Sequence, residues 1–260
     1  MKQEALSNTQ DSLQKQKIEG FTDYSNKLNA LNSKQFAKFL ITCEEVRPKS
    51  NDLKNFVKNE VKPFFALKQI IEFFSTEGDF VLDVFSGTGE TLKMLSDLNR
   101  VATGVEKDLD KVSAYKKAVS EDSFLEDFPI IQKDAFDAVQ HIDSVYDFIL
   151  VDPPVKSHKM QSGADSIGDL PLENYIDYTA SLIDSLSKNL KKDRFLVCLL
   201  QDFYMKGTYS MIPAMVSSKV HNLKLKGIKI YSRCLDINNI PNKRVYAPVQ
   251  NHFYALIFTL

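Results

Sequence analysis

Seven short apolar runs, separated by amphipathic segments, constrain the fold of this chain more than any other feature. The segments between the first five runs have helical periodicity, as in "GETLKMLSDL" and "DKVSAYKKAV". Strands and helices that alternate in this way form a mostly parallel sheet with helices on both faces. The predicted strands are Phe80 to Phe85, Val101 to Glu106, Pro129 to Gln132, Phe148 to Asp152, Phe195 to Gln201, Ile228 to Cys234 and Phe253 to Thr259. We therefore predict an α/β fold with a seven-stranded sheet.

The first 60 residues differ in composition from the rest of the chain. They are rich in Lys, Gln, Asn, Glu and Ser, and Gly20 is their one glycine. Apolar residues at helical spacing in "LNSKQFAKFLITCEEV" predict short helices after a partly mobile tail. We therefore divide the chain into a short helical N-terminal extension, residues 1–60, and a main domain, residues 61–260.

Composition favours a globular protein in a reducing compartment. The chain has 260 residues, of which 43% are hydrophobic, so it is long enough to bury a substantial core. Its three cysteines lie far apart with no C-x-x-C pair, as expected in the cytosol. No secretory signal is recognisable, and no apolar run approaches the roughly 20 residues that span a bilayer. We predict a cytoplasmic protein without a membrane partner.

The first candidate loop follows the strand "FVLDVF" and has the sequence "SGTG". Gly87 and Gly89 allow the backbone to approach a ligand closely, and the helix that follows points its N-terminal amides toward the same place. The nicotinamide dinucleotide fingerprint requires a third glycine where this chain has Leu92, so a smaller nucleoside ligand is favoured. Glu106 ends the next strand, where acidic side chains accept hydrogen bonds from ribose hydroxyls.

The second candidate loop follows the strand "DFILV" and begins with Asp152, Pro153 and Pro154. Two consecutive prolines donate no backbone hydrogen bond, and their carbonyls stay available as acceptors. A carboxylate and a proline carbonyl can together hold the two hydrogens of an exocyclic amine and direct its lone pair toward an electrophile. The loop therefore predicts catalysis by positioning, without a covalent nucleophile.

Taken together, the two loops make the chain resemble the S-adenosylmethionine-dependent amino-methyltransferases of nucleic acids, which methylate adenine N6 or cytosine N4. "VLDVFSGTGET" is similar to the first motif of this family, and Asp152-Pro153-Pro154 to its catalytic motif. Upstream, "VKPFFALKQII" resembles a companion motif that includes Lys62 and Pro63. The resemblance covers roughly residues 60 to 260. It implies a Rossmann-like methyltransferase sheet and S-adenosylmethionine as the cofactor.

The resemblance also implies a role for each matching residue. Asp152, Pro153 and Pro154 would be catalytic, and Val155 and His158 would contact the substrate. The residues that would bind the cofactor are Lys62, Pro63, Asp83, Phe85, Ser86, Gly87, Gly89, Thr91, Glu106 and Asp134. Among these, Glu106 would hold the ribose, and Asp134 would accept from the adenine amine. A base inside a duplex cannot reach such a loop, so the family extrudes it or uses single-stranded substrate.

One position departs from the family pattern. Val155 stands where an aromatic side chain usually stacks on the target base, and Phe203, Tyr204 or Tyr175 could take over that role. We predict methylation of a nucleic-acid base, with adenine N6 in DNA favoured. The alternatives are an RNA methyltransferase and a catalytically silent binding subunit. A homodimer or an accessory subunit for sequence recognition stays open, and the four histidines show no metal-ligand spacing, which predicts no metal.

Overall fold

The computed structural model describes residues 28–46, 64–122, 128–158, 166–233 and 252–260. The described strands are β1 Cys43–Val46, β2 Phe80–Val84, β3 Val101–Val105, β4 Ile130–Ile131, β5 Tyr146–Val151, β6 Leu190–Leu200, β7 Phe203–Met205, β8 Thr208–Ser210, β9 Lys224–Arg233 and β10 His252–Thr259. Eight of them form one sheet in the order β1-β9-β10-β6-β5-β2-β3-β4, and β7 and β8 form a separate hairpin. All seven predicted strands are present.

Seven α-helices accompany the sheet in the described part of the chain. They are α1 Ser33–Phe39, α2 Phe64–Phe74, α3 Glu90–Asp97, α4 Leu109–Glu121, α5 Ala135–Gln140, α6 Leu172–Leu186 and α7 Ile212–Lys219. A short 3₁₀-helix, Ile167–Asp169, precedes α6, and another, Ser187–Asn189, follows it. None of the described helices is both long enough and apolar enough to cross a membrane.

The helices cover both faces of the sheet, as the alternating pattern predicts. Alternate residues of β5 enter two separate cores: Ile149 packs with α5, α6 and α7, whereas Phe148 packs with α2, α3 and α4. All six side chains of β5 are buried, which is typical of a parallel strand covered on both sides. The predicted α/β class and its Rossmann-like sheet are therefore confirmed.

Strand order reverses between β2 and β5. From β2 the parallel sheet continues through β3 to β4 in one direction, whereas β5 leads to β6 and then to the antiparallel β10 in the other. The carboxyl ends of β2 and β5 therefore lie at the switch point, where open α/β sheets bind their ligands.

The N-terminal extension departs from the helical prediction in one element. Helix α1 lies in the predicted segment, but Cys43–Val46 forms β1, which pairs in parallel with β9 and becomes the eighth strand of the sheet. Lys229 of β9 is 2% exposed and forms an ion pair with Glu44 at 3.1 Å, while its ammonium donates to the Phe39 and Ile41 carbonyls. This tertiary ion pair explains why a four-residue strand with two acids forms where helical spacing dominates the sequence.

Candidate active site

The two loops predicted from the sequence meet at the switch point. Strands β2 and β5 are neighbours, with Val84 paired to Val151, so the chain leaves both strands at the same edge. The backbone amide of Asp152 donates to the Val84 carbonyl at 3.3 Å. The Asp-Pro-Pro segment is thereby fixed beside the segment Phe85–Gly89, which we call the glycine loop.

Backbone hydrogen bonds hold the glycine loop against the end of β3. The amides of Phe85 and Ser86 both donate to the Val105 carbonyl, at 3.0 and 2.9 Å. Phe85, Gly87 and Gly89 have φ angles of 75°, 57° and 82°. A phenylalanine with positive φ is strained, and strain of this kind concentrates at functional sites.

Gly89 is the position in this loop where no other residue fits. It caps α3 in the left-handed conformation, and a Cβ built there would lie 2.1 Å from Cδ2 of Tyr115. The Tyr115 ring is itself fixed because its hydroxyl accepts from the Phe128 amide at 3.0 Å. The glycine therefore brings the start of α3 close to α4 and fixes the direction of the helix.

Glu106 lies at the end of β3 and faces the glycine loop. Its Oε2 accepts from the Gly87 amide and its Oε1 from the Asp108 amide, both at 2.9 Å, and the side chain is largely buried. The Lys111 ammonium lies 4.0 Å from Oε2. A carboxylate offers about four lone-pair sites, so Glu106 can still accept hydroxyl groups from a ligand.

Asp83 is the buried acid of β2, one residue before the strand ends. Its side chain is 1% exposed, and neither carboxylate oxygen has a hydrogen-bond partner among the described residues. Desolvation by burial, and then the nearby charge of Glu106, raises the pKa of Asp83 to about 7. Buried acceptors without partners are rare in folded proteins, so this carboxyl group fits a donor that a ligand or water brings.

Asp134 caps α5 and is held from two sides. Its Oδ1 accepts from the Phe136 amide at 3.0 Å and from the Tyr178 hydroxyl of α6 at 2.6 Å. Burial and the bond to Asp134 raise the pKa of Tyr178, so this hydroxyl stays a donor at neutral pH. The carboxylate is therefore oriented before any ligand arrives.

Four of the predicted residues line one cavity of about 390 Å³: Phe85, Glu106, Asp134 and Pro154. Small-molecule sites commonly measure about 300–1,000 Å³. The remaining lining residues are Val105, Lys107, Asp108, Lys111, Lys133, Ala135, Ser166 and Ile167. Since both loops contribute to its wall, the cavity can bring a bound cofactor and a second reactant together.

The segment Asp152–His158, which we call the catalytic loop, is tied to α6. The Tyr175 hydroxyl donates to the Pro154 carbonyl at 3.2 Å, and the Tyr175 side chain is 2% exposed. Burial raises the pKa of this phenol, so it remains a donor. The Pro154 carbonyl therefore has a fixed donor before any substrate arrives.

A buried lysine holds the other end of the catalytic loop. The Lys156 ammonium donates to the carbonyls of Ser157 and Gly168, at 2.8 and 2.9 Å, and desolvation lowers its pKa. It also lies 5.1 Å from the centre of the Phe203 ring. A Cβ added to Gly168 would come within 2.5 Å of the Val155 carbonyl oxygen, so the 3₁₀-helix packs directly on the loop backbone.

The other predicted site residues fall in different surroundings. Ser86 is buried, Thr91 lies in the first turn of α3, Val155 is partly buried, and His158 is exposed with its ring 5.1 Å from that of Phe203. Lys62 and Pro63 lie outside the described residues. Among those described, no group of three or more His, Cys, Asp and Glu side chains could hold a metal ion.

Sequence reasoning did not identify Lys156, Gly168 and Tyr178 as parts of the site. Lys156 is adjacent to the catalytic motif, but nothing in the sequence indicates that its charge is buried. Gly168 and Tyr178 act through contacts with residues 13 or more positions away, which local patterns do not contain. Of the three aromatic candidates for base stacking, Tyr175 and Phe203 are buried, whereas Tyr204 is 37% exposed.

Comparison with known families supports the part of the resemblance that rests on the glycine loop. The sequence profile of the DNA methylase family of N6 and N4 methyltransferases matches residues 1–117. The matched region includes the glycine loop and Glu106 and ends before the catalytic loop. A search of curated protein sequences found no significant match.

Solved structures show that the fold is that of methyltransferases. TrmN from Thermus thermophilus has a TM-score of 0.54 at 13% identity, with 80% of this chain and 51% of TrmN covered. This chain therefore spans about half the length of TrmN. A candidate rRNA methylase from Clostridium thermocellum gives 0.51 at 14%, covering 78% and 100% of the two chains. SMU.776, a candidate methyltransferase solved with SAH, gives 0.50 at 14%, covering 72% and 46%.

Proposed function

We propose that this chain is an S-adenosylmethionine-dependent methyltransferase that acts on an exocyclic amino group of a nucleic-acid base. When bound, S-adenosylmethionine supplies an electrophilic methyl group attached to a sulfonium sulfur. The observation that carries the proposal is the hydrogen bond from the Asp152 amide to the Val84 carbonyl. This bond supports the proposal because it holds the Asp-Pro-Pro segment beside the glycine loop, as a site for an amine next to a nucleoside cofactor requires.

The polar groups around the cavity fit the predicted cofactor. Glu106, which already accepts two amides, has acceptor sites left for the ribose hydroxyls. Asp134, oriented by Tyr178, accepts from the adenine amine. Phe85 lines the cavity wall and would lie by the sulfonium, and the carboxyl group of Asp83, which has no hydrogen-bond partner among the described residues, would accept from a donor on the methionine part. Ser86, Gly87, Gly89 and Thr91, with Lys62 and Pro63, complete the proposed cofactor set.

The catalytic loop acts on the amine by positioning it. The Asp152 carboxylate and a proline carbonyl of the Asp-Pro-Pro segment would accept one N–H each, which would direct the nitrogen lone pair toward the methyl group of the bound cofactor. The methyl group would pass to the nitrogen, the former carbon–sulfur electron pair would stay with the cofactor's sulfur, and the proton that the amine loses would pass to water. Because the nitrogen becomes cationic on the way, the negative charge of Asp152 stabilises the transition state more than the ground state.

Adenine N6 in DNA is the target that we favour. The support is the match to the DNA methylase family over residues 1–117, together with an Asp-Pro-Pro segment suited to an exocyclic amine. The base must leave its stack to reach the catalytic loop, so an extruded or single-stranded base is the substrate.

An RNA base is the second candidate. The candidate rRNA methylase from Clostridium thermocellum is covered over its entire length by this chain, at a TM-score of 0.51. That likeness establishes a shared fold, and it makes RNA the substrate to test beside DNA.

The proposal is tested by incubating the protein with S-adenosylmethionine and single-stranded DNA or RNA, followed by analysis of methylated nucleosides. We expect a methylated amino base from one of the two. Asp152→Ala should lower the rate at least 100-fold, since the contact is lost where charge develops. Asp143→Ala, an exposed acid just ahead of the amino end of β5, is the matched control and should keep the wild-type rate.

Two results would contradict the proposal. A methylation rate that is unchanged in Asp152→Ala would show that the Asp152 carboxylate does not hold the target amine. A wild-type protein that binds S-adenosylmethionine but methylates neither nucleic acid, even with Val155→Tyr, would favour the silent binding subunit.

A further inference from the structure

The hairpin of β7 and β8 lies next to the catalytic loop. Strand β6 runs parallel to β5 with Val151 paired to Cys198, so the chain that leaves β6 emerges beside the Asp-Pro-Pro segment. The first hairpin residue, Phe203, packs against the loop: its ring lies 5.1 Å from the Lys156 ammonium and 5.1 Å from the His158 ring. The hairpin is therefore on the β6 side of the loop, whereas the cofactor cavity is on the β3 side.

The hairpin has one buried and one exposed face. Phe203 and Met205 pack into the core of the sheet. Tyr204 and Tyr209 are directly paired across the two strands, so their side chains project from the same face. They are 37% and 44% exposed. Two neighbouring aromatic side chains are therefore exposed to solvent on the hairpin whose first residue, Phe203, packs against the catalytic loop.

A buried carboxylate fixes one of these rings. Asp202 is 4% exposed, and its Oδ2 accepts from the Tyr209 hydroxyl at 2.5 Å and from the Tyr254 hydroxyl of β10 at 2.9 Å. The Tyr209 hydroxyl is anchored to Asp202, just after the carboxyl end of β6, while the side chain is partly exposed to solvent. The ring therefore presents a rigid aromatic surface. A rigid ring loses little conformational entropy when it stacks on a ligand.

We propose that the Tyr204–Tyr209 pair is the stacking platform for an unpaired nucleobase at this site. The inference rests on the proposed function and names the surface that receives its substrate. Val155 offers no ring, and Tyr175 and Phe203 are buried, so among the described tyrosines and phenylalanines beside the catalytic loop the exposed rings are those of this pair. Aromatic rings bind bases of any sequence through their faces, so the platform selects for unpaired bases rather than for sequence.

The test measures binding of fluorescently labelled single-stranded oligonucleotides, DNA and RNA, in the presence of saturating S-adenosylhomocysteine. Tyr204→Leu and Tyr209→Leu remove a ring but keep apolar bulk, and each should weaken binding about 5- to 100-fold. Tyr204→Phe should bind as the wild type does. Phe80→Leu removes a still more exposed ring at the amino end of β2, away from the strand ends that carry the two loops, and should change nothing.

A second readout separates stacking from damage to the fold. The Leu variants should keep wild-type affinity for S-adenosylhomocysteine and should raise KM for the oligonucleotide more than they lower kcat. If Tyr209→Leu also loses cofactor binding, the result for Tyr204→Leu tests the platform instead. Tyr209, and not Tyr204, forms the hydrogen bond with Asp202 that anchors the hairpin.

The failures of the two proposals differ. Wild-type methylation of an oligonucleotide together with unchanged binding by both Leu variants would overturn the platform and leave the proposed function standing. Equal weakening by Phe80→Leu would also overturn the platform. Cofactor binding by the wild type without any binding or methylation of nucleic acid would overturn both.

Discussion

The glycine loop and the catalytic loop follow neighbouring strands, yet different interactions hold them in place. Backbone bonds to Val105 and the left-handed conformation of Gly89 determine the first loop. Side chains that are remote in sequence or unexpectedly buried, Tyr175 and Lys156, determine the second. Both loops depend on contacts with distant parts of the chain, but the first uses glycines that a short motif marks, whereas the second uses side chains that no motif marks. The sequence therefore locates the first arrangement more completely than the second.

The largest expected effect is the pH dependence of stability that comes from Asp83, the buried acid just ahead of the glycine loop. The pKa of Asp83 is about 7 in the folded state, against about 3.9 in an unfolded chain, so the folded state holds this proton more tightly. The stability that protonated Asp83 contributes is present below pH 4 and is lost as pH rises to 7. At 1.36 kcal/mol per pKa unit the change approaches about 4 kcal/mol.

Urea unfolding of the cofactor-free protein from pH 4 to pH 8 measures this effect. The free energy of unfolding should fall across that window in the wild type and much less in Asp83→Asn, which cannot titrate. Equal pH dependence in the two proteins would show that the Asp83 carboxyl group is hydrated or hydrogen-bonded in the folded protein. Burial would then not raise its pKa.

The next largest effect tests the local geometry of the glycine loop. Gly89→Ala adds a left-handed alanine, at about 1–2 kcal/mol, and a clash with Tyr115, at about 1–3 kcal/mol, so a loss of about 2–5 kcal/mol is expected. Gly78→Ala is the matched control, because its φ is 79° but nothing lies within 4 Å of the added Cβ. The free energy of unfolding of both variants is measured in urea. Similar decreases in the two would show that the contact of α3 with Tyr115 of α4 does not require glycine at position 89.

The smallest effect tests the tertiary support of the catalytic loop. Gly168→Ala places a methyl group against the Val155 carbonyl, which should destabilise the protein by about 1–2 kcal/mol. Methyl transfer should fall more than affinity for S-adenosylmethionine, because the closest clash is with the backbone of the proposed amine-binding loop and not with Glu106 or the glycine loop. Gly227→Ala, whose Cβ would meet nothing closer than 3.9 Å, should leave both quantities unchanged. Equal losses of cofactor affinity and methyl-transfer rate would show that the catalytic loop also supports cofactor binding.

The parts of the molecule that local patterns encode were accessible from the sequence. Alternating apolar runs located all seven predicted strands, and the spacing of Gly87 and Gly89 located the glycine loop. Strand boundaries were less accurate: β6 begins at Leu190 rather than Phe195, because the charged residues that open it are exposed and resemble a loop.

The parts that depend on partners distant in sequence were not accessible. Strand β1 exists because Glu44 meets Lys229, 185 positions later, and helical spacing could not indicate that pairing. The charge of Lys156 is satisfied by carbonyl groups, which every residue carries and no sequence motif marks. Likewise, Tyr209 differs from an ordinary surface tyrosine only through its bond to Asp202.

If the cofactor is held at Glu106 and the target amine at Asp152, substitutions at these two residues should have separable effects. Calorimetric titration of S-adenosylmethionine into the wild type, Glu106→Ala and Asp152→Ala tests this most directly. We expect the wild type and Asp152→Ala to bind alike, and Glu106→Ala to bind about 10-fold or more weakly, since an ionised acceptor is lost. Glu121→Ala, an exposed acid at the end of α4, should bind as the wild type does. A wild-type protein that binds NAD or ATP but not S-adenosylmethionine would contradict the account.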